Sequence, residues 1–313
     1  MAEQGTDPMA GFVGLGAMGF HMASHVARLP GQRCLVWNRT ATKAAQHAKE
    51  HGSVQVQDLT AMGQAKVLLL CLPTSEEDLA VTEAVAPHMN RGSCIVSCTS
   101  GDPAATRRLA GSLWERFGLH FVDCPVSGGP RGAAAGSLAC MLGADKKEVI
   151  ELVEPVVRSF ASKIVVCGPA GAGHAVKAVN NALNVAHLLM GAEGLLALQS
   201  MGVEPAVALE AINGSSGRSL QTEQRLPQEV LTGRFGYGFK LPLMAKDCRM
   251  ADSLIREGFP KASLLPAAVQ LVERATAEES AEADYTCVVK LLEREAGREL
   301  RTSKVDDPAV GKL

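Results

Sequence analysis

Gly14-Leu15-Gly16-Ala17-Met18-Gly19 stands between the apolar run Gly11-Phe12-Val13 and a segment of helical character, residues 19–29. A glycine loop that closes a strand and opens a helix is the context in which G-x-G-x-x-G binds the pyrophosphate of a dinucleotide. Gly14 permits the tight turn, Gly16 lets backbone come close to phosphate, and Gly19 allows the helix to pack against the strand. Free N–H groups at the start of the helix face the anion. Gly14, Leu15, Gly16, Ala17, Met18 and Gly19 are therefore expected to bind a nicotinamide dinucleotide.

The next strand ends in Trp37-Asn38-Arg39-Thr40. About 20 residues beyond the loop, a carboxylate at this place would hold the ribose hydroxyls of NAD. None is present. Arg39 can pair with a 2′-phosphate, Asn38 and Thr40 can hydrogen-bond to it, and Lys43 is close in sequence. The cofactor expected is NADP in preference to NAD.

Further along, short apolar runs at 34–37, 67–72, 94–98, 120–123, 138–142 and 164–167 alternate with amphipathic segments at 42–51, 75–86, 103–117 and 146–159. With the opening strand at 11–13, this is the pattern of an α/β Rossmann domain with a doubly wound, mainly parallel sheet. After residue 170 the texture changes. Residues 174–200 form one Ala/Leu/Val/Asn-rich run without strand punctuation, Pro205 suits the first turn of a helix that Asn213-Gly214 ends, and further helices are expected near 246–257 and 264–279. The expected domains are a NAD(P)-binding unit at 10–170, an all-helical substrate and oligomerisation unit at 171–300, and a flexible tail at 301–313.

Lys+Arg number 31 against Asp+Glu 33, with aromatic residues at 4%. That balance leaves no basic excess for phosphate neutralisation and few rings for base stacking, so nucleic acid is not an expected partner. No uninterrupted apolar stretch reaches the ~18 residues of a membrane span, and residues 1–9 lack a signal-peptide core. Nine cysteines, without a C-x-x-C pair, read as reduced thiols in a cytoplasmic protein and give no metal site. The closing Gly311-Lys312-Leu313 is a weak form of a peroxisomal address.

Two further groups carry chemistry. Ser127-Gly128-Gly129 offers a hydroxyl and unobstructed N–H groups that can form a concave site for a carboxylate, or an ordinary turn. Lys177 and Asn181 lie four apart on the long helical run, hence on one face. A lysine can donate and remove the proton that accompanies hydride transfer at a carbinol carbon, and an amide can hold the oxygen without adding charge. From these residues alone, a solvent-facing lysine near a helix start is the competing reading.

The stretch Asp123-Cys124-Pro125-Val126-Ser127-Gly128-Gly129-Pro130-Arg131-Gly132 resembles the substrate-binding signature of the β-hydroxyacid dehydrogenase family. This family includes 3-hydroxyisobutyrate dehydrogenase, tartronate semialdehyde reductase and glyoxylate/succinic semialdehyde reductases, with 6-phosphogluconate dehydrogenase more distant. Gly168-x-x-Gly171-x-Gly173-x-x-x-Lys177-x-x-Asn180-Asn181 and Lys246-Asp247-Cys248 resemble two further signatures, so four motifs cover residues 11 to about 251 in the family's order. The resemblance implies hydride transfer between NAD(P) and a small 3-hydroxy acid or its semialdehyde, with Lys177 as general acid/base. It implies that Ser127, Gly128, Gly129, Asn181, Phe239 and Asp247 hold the carboxylate substrate. Leu72, Pro73, Ser100 and Lys246 would meet the cofactor, and the assembly would be a homodimer or homotetramer.

His174 is expected to start a helix, not to catalyse. The family's Asp-x-Ser-Thr is Ser97-Cys98-Thr99-Ser100 here, and Glu77 stands where an amide is usual, which puts cofactor contacts at 77 and 97 in doubt. Two alternatives accompany this reading: a serine- or threonate-type dehydrogenase using Gly214-Ser215-Ser216-Gly217-Arg218-Ser219, and a catalytically silent nucleotide-binding interaction module.

Overall fold

The computed structural model describes residues 10–302. The chain divides into two compact units between Lys177 and Ala178.

The first unit is built as β1 (Ala10–Val13), α1 (Gly19–Ala27), β2 (Cys34–Trp37), α2 (Ala41–His51), β3 (Val54–Gln55), β4 (Val67–Leu70), α3 (Ser75–Val85), β5 (Cys94–Ser97), α4 (Pro103–Phe117), β6 (His120–Asp123), β7 (Val126–Ser127), α5 (Gly129–Ala135), β8 (Leu138–Gly143), α6 (Lys147–Val157) and β9 (Ala161–Gly168). The sheet order is β3-β2-β1-β4-β5-β6-β8-β7, with β9 on β8. The six strands from β3 to β6 are parallel, β8 is antiparallel to β6 and β7, and β9 runs parallel to β8.

Every residue of β1, β4 and β5 is buried, because helices cover both faces of a doubly wound sheet. Alternate side chains enter opposite layers. Val67 and Leu69 join Phe12, Val96 and Val122 with Met22 and Val153, whereas Leu68 and Leu70 join Ile95 and Phe121 with Val85 and Leu113. Strand order reverses between β1 and β4, since β2 and β4 each pair parallel with β1, one on either side. At that switch point the strand ends diverge and leave room for a ligand, and the glycine loop sits there.

β3, β7 and α5 are absent from the sequence expectation. The last two matter, because Ser127 ends β7 and Gly129 begins α5, with Gly128 between them at φ +136°. The Ser-Gly-Gly segment is a strand-to-helix junction.

α7 (Ala172–Ser200) starts in the first unit and continues as the spine of the second, followed by α8 (Pro205–Asn213), a π-helical segment (Gln221–Val230), α9 (Leu241–Gly258), α10 (Leu264–Glu278) and α11 (Val288–Ala296). The second core gathers Leu188, Leu195, Leu226, Met244, Val272, Tyr285 and Val288. Gly191 is small because a Cβ there would lie 2.7 Å from Leu226 Cδ1. α7 has a window with mean hydropathy of 1.2 and is long and apolar enough to cross a membrane by length and composition. Half of that window is buried, its Leu188, Leu189, Ala192 and Leu195 forming the core of the unit, so it is a core helix.

Arg301 and Thr302, at the start of the stretch expected to be a tail, are held. Arg301 pairs with Glu293 at 2.7 Å, and Thr302 N–H donates to Leu231 O at 3.2 Å. The remainder of that stretch, including Gly311-Lys312-Leu313, and residues 1–9 lie outside the described residues.

Candidate active site

Three glycines shape the loop after β1. Gly14 has φ +97°, and a Cβ on it would lie 2.3 Å from Cys71 O. A Cβ on Gly19 would lie 1.9 Å from Gly14 O, so α1 packs on the turn only without a side chain there. Around Gly16 nothing lies within 4 Å of that position, and Gly16 and Ala17 are exposed. Met18, before α1, gives no side-chain cap, unlike Thr74 before α3 and Asp102 before α4. The result is an open cradle beneath an uncapped helix N-terminus, which fits a pyrophosphate.

Asn38 does something the sequence reading did not foresee. Its Oδ1 accepts Leu15 N–H at 2.9 Å and its Nδ2 donates to Thr40 O at 3.1 Å, so its amide clamps the end of β2 to the glycine loop. Leu15 turns its side chain into the core. Arg39 and Thr40 are exposed beside this clamp.

The other side of the switch point is organised by a carboxylate. Asp78 on α3 is buried and accepts the hydroxyls of Ser97 and of Thr99, the latter at 2.7 Å. Thr99 Oγ1 in turn accepts Leu72 N–H at 3.0 Å, fixing the Leu72-Pro73 turn. The acid that Ser97 lacks thus arrives from the neighbouring helix. Glu77 accepts the Thr74 hydroxyl within its own helix start. Asp78 was illegible in the sequence because, beside Glu76 and Glu77, it reads as part of a solvated acidic first turn.

At the end of β6, the buried Asp123 holds the start of α7. Its Oδ1 accepts Gly171 N–H and its Oδ2 accepts His174 N–H, both at 2.7 Å. Cβ atoms on Gly143 and Gly173 would come within 2.4 and 2.9 Å of its carboxylate oxygens, so those glycines make room for it. Burial raises its carboxyl to about 6, although the backbone hydrogen bonds pull it the other way. His174 is buried in the first turn of α7 with Nδ1 2.8 Å from Thr106 Oγ1, tying α7 to α4. One turn later comes Lys177, 9% exposed.

In the second unit, Asn181 Nδ2 donates to Asp247 Oδ2 at 2.6 Å, and Lys246 Nζ lies 3.1 Å from Asp247 Oδ1. Asp247 is buried and Lys246 mostly so, and the two are not a solvated surface pair. Phe239 packs near Tyr285, their rings 6.1 Å apart, and its N–H donates to Asp284 at 3.1 Å. In the Gly214–Ser219 stretch, Ser219 N–H donates to Thr222 Oγ1 at 2.7 Å, so this end of it caps the π-helical segment.

A family model for the NAD binding domain of 6-phosphogluconate dehydrogenase matches residues 9–168, and one for the NAD-binding of NADP-dependent 3-hydroxyisobutyrate dehydrogenase matches residues 171–292. The chain belongs to the β-hydroxyacid dehydrogenase family. As a member it is an NAD(P)-dependent 3-hydroxyacid dehydrogenase. It is 30% identical to the 2-(hydroxymethyl)glutarate dehydrogenase of Eubacterium barkeri, over 92% of this chain and 95% of that protein. It is 29% identical to the NAD-dependent L-serine dehydrogenase of Pseudomonas aeruginosa, over 92% and 98% respectively. The Mycobacterium tuberculosis 3-hydroxyisobutyrate dehydrogenase structure with L-serine superposes with a TM-score of 0.82 at 26% identity, covering 92% of this β-hydroxyacid dehydrogenase and 99% of that chain.

Proposed function

We propose that this dehydrogenase interconverts a small 3-hydroxy acid and its semialdehyde, preferring NADP, with Lys177 as general acid/base. The observation that carries the reading is Lys177 itself, a lysine nine-tenths buried on a helix whose first turn is pinned by Asp123.

The bound nicotinamide supplies the hydride acceptor or donor. In oxidation Lys177 removes the hydroxyl proton as the carbinol hydrogen leaves with its electron pair, and in reduction it returns the proton to the oxygen. Asn181 has one amide N–H committed to Asp247, which orients the group so that its other N–H can meet the substrate oxygen. Ser127, Gly128 and Gly129 bind the acid at the β7–α5 junction, where Gly129 opens a helix. Lys246 and Phe239 complete the surroundings of cofactor and substrate. Gly16 receives the pyrophosphate, Ser100 and the Leu72-Pro73 turn the adjoining ribose, and Arg39 with Thr40 the 2′-phosphate. Asn38 acts indirectly, by holding Leu15.

The relatives' names share one chemical element. 3-Hydroxyisobutyrate, L-serine and 2-(hydroxymethyl)glutarate all contain HOCH2–CH(R)–COO⁻, with R a methyl, an ammonium or a carboxyethyl group. The common part is the acid and carbinol that Lys177, Asn181 and Ser127-Gly128-Gly129 suit. The chain further assembles as a homodimer or homotetramer, supported by Leu183 and Met190, seven residues apart and exposed on α7. Its nine free cysteines suit a reducing compartment such as the cytoplasm.

The test is a turnover screen of NADPH and NADH against glyoxylate, succinic, methylmalonate and tartronate semialdehydes, with L-serine, threonate and 3-hydroxyisobutyrate oxidised in reverse. NADP(H)-dependent turnover is expected of the members that are 3-hydroxy acids or their semialdehydes, and turnover of glyoxylate or succinic semialdehyde alone contradicts that class. Failure of all of them refutes the reaction, and equal efficiency with NADH refutes the cofactor preference.

A further inference from the structure

Arg225 lies in the π-helical segment of the second unit and is 9% exposed. Its guanidinium carbon stacks 3.7 Å from the Tyr237 ring centroid, and Nη1 donates to the neighbouring Gln224 at 3.2 Å. Nε is buried without a hydrogen-bond partner, and Arg225 makes no ion pair among the described residues. The carboxylates of the region are committed elsewhere. Glu229 gives both oxygens to Arg234 and accepts Gly236 N–H, and Asp284 accepts Gly238 N–H, Phe239 N–H and the Thr286 hydroxyl. Among the described residues no carboxylate lies within ion-pair distance of this buried, permanently charged group: Glu229 acts on it only at longer range and the Tyr285 hydroxyl is its neutral partner, so Nε is left to call for an anion. Its stacked plane leaves the edge of the fork for a carboxylate, the geometry arginine prefers.

A run of side chains leads from this guanidinium toward the substrate end. The Tyr285 hydroxyl, on which Arg225 acts directly, donates to Gln221 Oε1 at 3.4 Å. Gln221 Nε2 donates to Asn184 Oδ1 at 2.8 Å. Asn184 stands three residues after Asn181 on α7, within one turn on the same side. The π-helical winding matters here, since its wider turn aims side chains differently from an α-helix and recurs at functional sites.

We propose that Arg225, with the Tyr285 hydroxyl, binds a second carboxylate of the substrate, so that R in HOCH2–CH(R)–COO⁻ is an arm ending in an acid. This assignment rests on the 3-hydroxyacid reading of Lys177 and Asn181, and it narrows the substrate class to diacids.

The experiment compares wild type, Arg225→Met and Arg225→Lys, oxidising 3-hydroxyisobutyrate and 2-(hydroxymethyl)glutarate with NADP. In parallel, thermal shifts of the NADP-saturated proteins are recorded with glutarate and with butyrate. Wild type should favour the diacid in kcat/KM, chiefly through KM. Arg225→Met should lower the diacid-to-monoacid ratio by about 100-fold, the scale of a charge-assisted bidentate contact, and Arg225→Lys should lie between. Glutarate should stabilise wild type and not Arg225→Met, while butyrate should distinguish neither. Equal treatment of the two acids by wild type, a parallel loss on both acids in Arg225→Met, or equal glutarate stabilisation of both proteins overturns the proposal. Absence of all turnover with an Arg225-dependent glutarate shift retires the assignment of HOCH2–CH(R)–COO⁻ substrates to Lys177 and Asn181 and leaves the anion site standing. Monoacid turnover without Arg225-dependent discrimination retires the anion site alone.

Discussion

Replacing Gly16 and Gly19 by alanine, one at a time, separates what the glycine loop does for the fold from what it does for the cofactor. A Cβ on Gly16 meets nothing within 4 Å, and the residue does not adopt a left-handed φ. Gly16→Ala should therefore fold as well as wild type or gain up to about 1 kcal/mol from the stiffer unfolded chain, a rise of roughly 2–4 °C for a domain of this size. The methyl group would occupy the space that backbone N–H groups leave for phosphate. Losing one or two hydrogen bonds to a charged group at about 1.5–3 kcal/mol each raises the cofactor Kd by about 100-fold. Gly19→Ala places its Cβ 1.9 Å from Gly14 O, a backbone atom that cannot rotate away. Overpacking of that kind costs about 3 kcal/mol or more, and the melting temperature should fall by roughly 6–12 °C. Thermal melts and NADPH titrations by ligand fluorescence give both quantities. The reasoning is refuted if Gly16→Ala binds NADPH as tightly as wild type, or if it melts as low as Gly19→Ala.

Two further outcomes follow from the same geometry. Arg39→Ala should reduce kcat/KM for NADPH by about 10- to 100-fold while changing NADH little, as loss of an exposed arginine–phosphate pair predicts; parallel losses with both cofactors contradict the 2′-phosphate role. Asp123, raised from an ordinary 3.8 to about 6 by burial, holds its proton more tightly folded than unfolded. Its contribution is thus fully present below about pH 4 and is lost as pH rises through 6, on the order of 3 kcal/mol in total. Denaturant melts of wild type and Asp123→Asn between pH 4 and 7.5 should show the stability difference moving against wild type by that amount as pH rises, and a constant difference contradicts it.

The Rossmann half is legible because its physics is local. Val67–Leu70 reads as an unbroken apolar run since both faces of a parallel strand are covered, and Gly14 and Gly19 are dictated by contacts only glycine survives. What escaped reading depends on partners distant in sequence or on unusual winding. β3 has two residues, too few for any periodicity to register. The π-helical segment contains Pro227 and follows no 3.6-residue period, so Arg225 looks like one more charge on a polar surface. α11 was missed although Val288, Val289, Leu291 and Leu292 are buried, because a nine-residue amphipathic run after an irregular stretch carries little signal alone. Asn38 was read as a phosphate ligand from its type and place, whereas the structure uses its amide to tie down Leu15. That Lys177 and Asn181 share one face of α7 follows from their spacing, but not that Asp123 would hold the start of that helix or that Asp247 would take the Asn181 amide.

The most direct test of the account is the chemistry assigned to Lys177. Lys177→Met should retain the wild-type melting temperature within a few degrees and bind NADPH with an unchanged Kd. Its kcat for the preferred acid should fall by about 100- to 10,000-fold in both directions, the range a positioned acid/base supplies. A Lys177→Met protein that binds cofactor and turns over at the wild-type rate contradicts the mechanism.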